Sequence, residues 1–265
     1  MTNDLLETIE DGVAVLTMNR PERRNALSGE MLEAMLEAFP RLANDASVGC
    51  VVLTGAEGAF CAGGDVKAMA EGREKDKLPL EGQYQELRNI METSRWLHEM
   101  PKPTIAMVGG AAAGAGLSLA LACDMRLAAD TAKFTTAFAN VGFSGDFGGS
   151  YFLTKLVGTA KARELYYTAA LLDPETAASL GMVNRVVAAD DLRAETMKLA
   201  KSIAAGPSIA LRYMKRNMNA AEAGNTLSEH LDLEALHHAR CGMTEDHKEA
   251  TKAFVEKRKP NFVGR

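Results

Sequence analysis

The sequence predicts an α/β core followed by a helical appendage, and two observations carry this. In the first half, short apolar runs bounded by turn residues alternate with stretches of helical period. Val13–Met18, Cys50–Thr54 and Thr104–Val108 are such runs. After Gly148 the pattern is helical almost throughout. A ββα spacing also recurs loosely, from Val13 through Val51 to Ile105, as stacked turns of a solenoid-like core would require.

Taken in order, Leu5–Arg20 reads as a hairpin turning at Asp11-Gly12, a dipeptide that accepts positive φ. Pro21 and the charged Glu22-Arg23-Arg24 form a loop. Ser28 is placed to cap a helix to about Asn44, in which Met31, Met35, Leu36, Phe39 and Leu42 recur at helical spacing as core residues. Cys50–Thr54 is continuous and apolar, as a strand buried on both faces would be. Ala59–Gly63 reads as a strand entering the Gly63-Gly64 turn, with Asp65 as the N-cap of the next helix. Residues 70–82 are polar and predict a surface loop. Tyr84–Met100 predicts one amphipathic helix, stopped by Pro101 and Pro103 before the strand Thr104–Val108. A helix over Ala115–Ala122 and strands at Met125–Ala129 and Lys133–Thr136 follow.

Further helices are expected over Tyr151–Val157, Thr159–Ala169, Asp173–Leu180, Asp191–Ala205, Ser208–Ala221, Leu227–Cys241 and Thr244–Lys257, with one more strand at Val183–Val187. We divide the chain into a core, 1–200, and a C-terminal helical oligomerisation region, 201–265. The later helices carry Leu211, Met214, Leu227, Leu231 and Leu236, more apolar surface than a small tail buries alone.

Composition narrows the function. A net charge of −5 argues against nucleic acid as partner. There is no basic-then-apolar leader, and the Leu117–Ala122 run is far too short for a membrane span, so a cytoplasmic protein is expected. Cys50, Cys61, Cys123 and Cys241 are scattered, which suggests buried reduced thiols rather than a metal or redox site. The five histidines read as structural or solvated, and no metal is expected.

The chemistry concentrates between Gly109 and Gly149. A Gly/Ala run leads into a helix, where unpaired backbone N–H groups and the helix dipole favour an anion. A second Gly-rich loop surrounds Asp146, a group that can carry a proton. An anion site beside a proton carrier is the minimum equipment for enolate chemistry. The structural alternatives are tight turns for the glycines and a helix cap for Asp146.

Three segments recur in a known order: Asn19–Leu27 (NRPERRNAL), Ala59–Lys67 (AFCAGGDVK) and Gly109–Gly149. With the ending Phe254–Phe262 (FVEKRKPNF), they resemble the enoyl-CoA hydratase/isomerase (crotonase) family over nearly the whole chain. The resemblance implies a crotonase-like spiral of ββα units with a C-terminal helical trimerisation region. It implies a homotrimer or dimer of trimers. It also implies an acyl-CoA thioester as substrate, with coenzyme A part of that substrate and no separate cofactor. Carried over residue by residue, the oxyanion hole falls on the N–H groups of Gly64 and Ala115. The CoA contacts fall on Arg23, Arg24, Ala26, Ala62, Asp65 and Lys67. Lys259 and Phe262 are expected to complete the CoA site of a neighbouring subunit.

This chain departs from the family's hydratases, which use two glutamates to activate water. Ser118 and Phe138 stand at those positions, and neither carries a carboxylate. Asp146 matches the place where some double-bond isomerases of the family carry a single acid/base. The expectation is therefore an acyl-CoA isomerase, with Asp146 buried among Phe143 and Phe147. The alternatives are a hydratase using Asp146 and water, a dehalogenase-like enzyme with Asp146 as nucleophile, and a non-catalytic acyl-CoA binder. The pocket walls are expected from residues 70–82 and 138–152.

Overall fold

A computed structural model describes residues 3–72 and 78–265. Strands β1 (Leu5–Glu10) and β2 (Val13–Met18) form the expected hairpin, with φ of 49° at Asp11 and 77° at Gly12. β3 (Cys50–Gly55), β4 (Thr104–Val108), β6 (Met125–Ala129) and β8 (Arg185–Val187) extend it in parallel. The sheet order is β1-β2-β3-β4-β6-β8. Helix α9 (Leu192–Ala204) covers one face, packing on Val13, Val15, Cys50, Val52, Ile105 and Leu127. The other face takes the alternate residues, Ala14, Leu16, Val51, Leu53 and Ala106, against α1 (Gly29–Asn44) and α4 (Glu92–Glu99). A strand covered on both faces has no polar side, which is why these runs are continuously apolar. The division expected after residue 200 falls inside α9, a helix of the sheet's own core.

A second, shorter ladder runs beside the sheet. It joins Leu27 to Gly64 and Cys61 to Ala112, then pairs β5 (Ala111–Ala113) with β7 (Lys133–Thr135), and ends at Phe134–Leu172. Each turn of the chain thus adds one long strand to the sheet and one short segment to this ladder before a helix follows. These are the stacked ββα turns expected from the spacing.

Four local expectations are corrected. Ala59–Gly63 is not a regular strand: it carries an isolated bridge at Cys61 and backbone hydrogen bonds to Arg24, Leu27 and Ala111. The Gly/Ala run before the Ala115 helix contains β5, whose alanines lack the β-branched signal of a strand. Tyr84–Met100 is two helices, α3 (Leu80–Ile90) and α4, interrupted at Met91. The expected loop over 70–82 overlaps α2 (Val66–Glu71) and the start of α3, and residues 73–77 of it lie outside the described residues.

The remaining helices are α5 (Ala115–Ala122), α6 (Gly149–Val157), α7 (Thr159–Thr168), α8 (Pro174–Ser179), α10 (Ser208–Ala223), α11 (Leu227–Gly242) and α12 (Glu245–Val255). α10 is held to the core by Lys215, whose Nζ lies 2.8 Å from Asp124 Oδ2 and donates to the carbonyls of Leu97 and Lys102. The buried residue of α10 is Lys215 and that of α11 is His237, while Met214, Met218, Leu227 and Leu231 are exposed. Among the described residues no helix is long and apolar enough to cross a membrane.

Candidate active site

Gly64, Ala115 and Asp146 line one cavity of about 690 Å³. Gly64 ends the short segment that follows Cys61, and Ala115 is the first residue of α5. Among the described residues neither backbone N–H donates to a backbone acceptor, as befits a ladder end and a helix start. Glycine at 63 brings the two together. Its φ is 89°, and a Cβ there would lie 2.7 Å from Ala113 O and 3.3 Å from Ala115 N. No larger residue allows that approach.

Asp146 sits half-buried in the turn between Gly145 and Gly149, and Phe147 beside it is buried. Its side chain does not cap α6, which starts after Gly148 without a side-chain cap. Phe143, expected to bury the carboxylate, is instead 55% exposed. The carboxylate is felt by two neighbours. Burial pushes the Cys61 thiol up to about 12, and Asp146 adds to that rise. Burial likewise raises the Tyr166 phenol, with Asp146 as the second cause. Burial also holds Cys50 and Cys123 at about 12, so these thiols stay protonated and inert.

The segments expected to meet CoA lie side by side. Ala62 N donates to Arg24 O at 3.0 Å and Leu27 N to Gly63 O at 2.8 Å. Arg23, Arg24 and Lys67 are exposed, and Ala26 and Ala62 flank them on the paired backbones. Asp65 caps α2 through Ala68 N at 3.1 Å and also pairs with Arg20, so its carboxylate is engaged as the capping reading expected. Lys259 and Phe262 are not brought to this cavity within the chain. Lys259 is exposed, and Phe262 lines a separate cleft with Asp45, Lys102 and Ser208.

Of the walls expected, Asp146 and Phe147 of 138–152 line the cavity, no described residue of 70–82 does, and other walls were not foreseen. They come from Leu32, Leu36 and Glu33 of α1, Met69 of α2, and Leu87 and Ile90 of α3. Leu36 therefore faces the cavity rather than the core. Ser118 and Phe138 do not line this cavity but a separate small space, with Gly114, Gly149 and Tyr166. Three residues were missed in the sequence. Buried Asn25, with φ of 56°, holds the 20–27 loop by donating to Ala56 O and Ala59 O and accepting from Arg20 N. An asparagine in a charged loop was the available signal, since asparagine tolerates left-handed backbone. Arg20 and Tyr166 gave no local signal, because their partners are distant in sequence. Among the described residues no group of three His, Cys, Asp or Glu side chains is placed to hold a metal ion.

The cavity thus brings together the Gly64 turn, the start of the Ala115 helix and the Asp146 turn, three segments far apart in sequence. The enoyl-CoA hydratase/isomerase family model matches residues 8–265, and the chain belongs to that family of enzymes. It is 36% identical to 1,2-epoxyphenylacetyl-CoA isomerase of Escherichia coli (strain K12) over 265 residues, all of both chains. Its fold matches an enoyl-CoA hydratase from Polaromonas sp. JS666 with a TM-score of 0.91 and 36% identity, covering 97% of this chain and 99% of that one. An enoyl-CoA hydratase from Bacillus anthracis also superposes with a TM-score of 0.91, at 29% identity, covering 99% and 100%.

Proposed function

We propose that this enzyme shifts a double bond in an acyl-CoA thioester, with Asp146 as its single acid/base. The observation that carries this reading is the placement of Gly64, Ala115 and Asp146 around one cavity, with no carboxylate at Ser118 or Phe138. The thioester oxygen accepts from the Gly64 and Ala115 N–H groups. Asp146 takes a proton from one carbon and the negative charge moves onto that oxygen. Each fixed donor is typically worth roughly 3 kcal/mol of barrier. Asp146 then returns the proton to the far carbon of the allylic system, the charge flows back, and the double bond has moved. Every atom is conserved, so neither water nor a separate cofactor enters. The identity to an isomerase over the full length also supports this reading.

The CoA phosphates are met by Arg23, Arg24 and Lys67, exposed cations on adjoining segments. The apolar residues left uncovered on α10 and α11 are buried between subunits of a trimer or a dimer of trimers, where Lys259 and Phe262 reach a neighbour's CoA. Hydration with Asp146 as sole carboxylate is the second reading, favoured by the hydratase names of the solved relatives. The deciding experiment supplies 2-enoyl-, 3-enoyl- and arylacetyl-CoA thioesters and identifies the products. Interconverted enoyl isomers without hydroxyacyl-CoA are expected. Rapid formation of 3-hydroxyacyl-CoA from 2-enoyl-CoA would overturn the isomerase reading.

A further inference from the structure

We propose that Tyr166 is a specificity-determining residue, whose ring keeps water out of this site and so commits the enolate to proton return. The inference rests on the isomerase reading. Tyr166 projects from α7 and stacks on Phe138, with ring centroids 5.8 Å apart and planes 17° from parallel. Its hydroxyl is excluded from solvent. On its other side lies the turn that carries Asp146. A Cβ on Gly145 would lie 3.1 Å from Tyr166 Cε1. One on Gly149 would lie 2.7 Å from the Tyr166 hydroxyl and overlap Ser118 Oγ. The phenol therefore fills the gap between Phe138, Ser118 and the Asp146 turn.

What remains of that gap holds no volume that a water could occupy. Its lining adjoins that of the substrate cavity along the chain. Gly114 on its wall precedes the donor Ala115, and Gly149 N closes the turn onto Asp146 O at 3.0 Å. The phenol itself is no second base, because burial and the Asp146 carboxylate both keep it protonated.

Water addition puts a water oxygen on the β-carbon and a proton on the α-carbon. It requires a held water near Asp146, and a held water needs a few polar partners. Ser118 Oγ, the Gly114 carbonyl it donates to at 3.2 Å and the Thr136 hydroxyl are among the polar groups of this gap. Without the Tyr166 ring, they would face an opening larger than the roughly 30 Å³ a water takes in the liquid. Proton return needs no such opening.

The test compares wild type, Tyr166→Ala and Tyr166→Phe on 2-enoyl- and 3-enoyl-CoA, with the ratio of hydroxyacyl to isomerised product as the reading. Tyr166→Ala should raise that ratio by about tenfold or more, since a positioned base acting on a held water is typically worth 10²–10⁴ in rate. Tyr166→Phe keeps the ring and should keep the wild-type ratio. Crystals of wild type and Tyr166→Ala with an unreactive acyl-CoA thioether give a reading independent of turnover. A water beside Ser118 is expected in the variant and none in wild type. A folded Tyr166→Ala with an unchanged ratio and a dry gap would overturn the proposal. A Tyr166→Phe ratio shifted as far as that of alanine would do the same, since the hydroxyl and not the ring would then decide. If alanine unfolds the protein, Tyr166→Leu opens a smaller gap, with the same direction expected and an unchanged ratio again fatal. A wild type that fails to isomerise overturns the isomerase reading instead, while the water seen or missing beside Ser118 still judges the role of Tyr166.

Discussion

Arg20 Nη2 stands 3.2 Å from Asp65 Oδ2, tying the loop that bears Arg23 and Arg24 to the turn that presents the Gly64 N–H. The same guanidinium donates to Ala26 O at 2.8 Å, and the same carboxylate caps α2. One ion pair thus couples the expected CoA-binding face to the Gly64 turn, the proposed oxyanion donor.

Asp65→Ala removes both the pair and the cap. A cap is worth about 0.5–2 kcal/mol and a partly exposed pair about 0–1 kcal/mol, so a loss of about 1–2 kcal/mol in urea unfolding at pH 7 is expected. The Ala68 N–H first, and the Arg20 pair after it, hold the Asp65 carboxyl below its ordinary range. A depressed folded pKa gives stability that is present above the unfolded value of about 3.9 and is lost as pH falls through the folded one. The gap between wild type and variant should therefore narrow as pH drops below about 4. An equal gap at neutral and low pH would contradict this account.

Asp146→Asn keeps size and hydrogen bonding but cannot accept a proton. Isomerisation should fall by about 10²–10⁴, while CoA affinity measured by calorimetry changes little. A variant that turns over at the wild-type rate would place the proton carrier elsewhere.

Arg23, Arg24 and Lys67 are exposed, so their attraction for phosphate is screened by salt. Free CoA should bind more weakly as salt rises, and Arg24→Ala or Lys67→Ala should weaken it further at low salt while flattening the salt dependence. Calorimetry finding no CoA binding at low salt would remove the basis of the CoA assignment.

Met218, Leu227, Met243 and Phe254 are each more than 60% exposed in the single chain. Apolar area of this size on one helical region is expected to be covered by further subunits. Light scattering at micromolar concentration should report a trimer or hexamer, and a stable monomer would refute it.

The sequence by itself determined the α/β core, because fully buried strands such as Cys50–Gly55 must be apolar on both faces and helices such as α1 must show their period. It also marked the Gly63-Gly64 turn and Asp146, since glycine pairs and an isolated loop carboxylate are local signals. The tertiary structure alone decided which residues share the cavity. Leu36 belongs to a helix whose apolar stripe reads as core, yet α3 stands off from α1 and leaves that residue facing the cavity. β5 is built of alanines and is extended only because β7 and Cys61 pair with it. Arg20 with Asp65, and Tyr166 with Phe138, meet across long stretches of chain. No local periodicity encodes such encounters, because they are fixed by how the turns of the spiral stack.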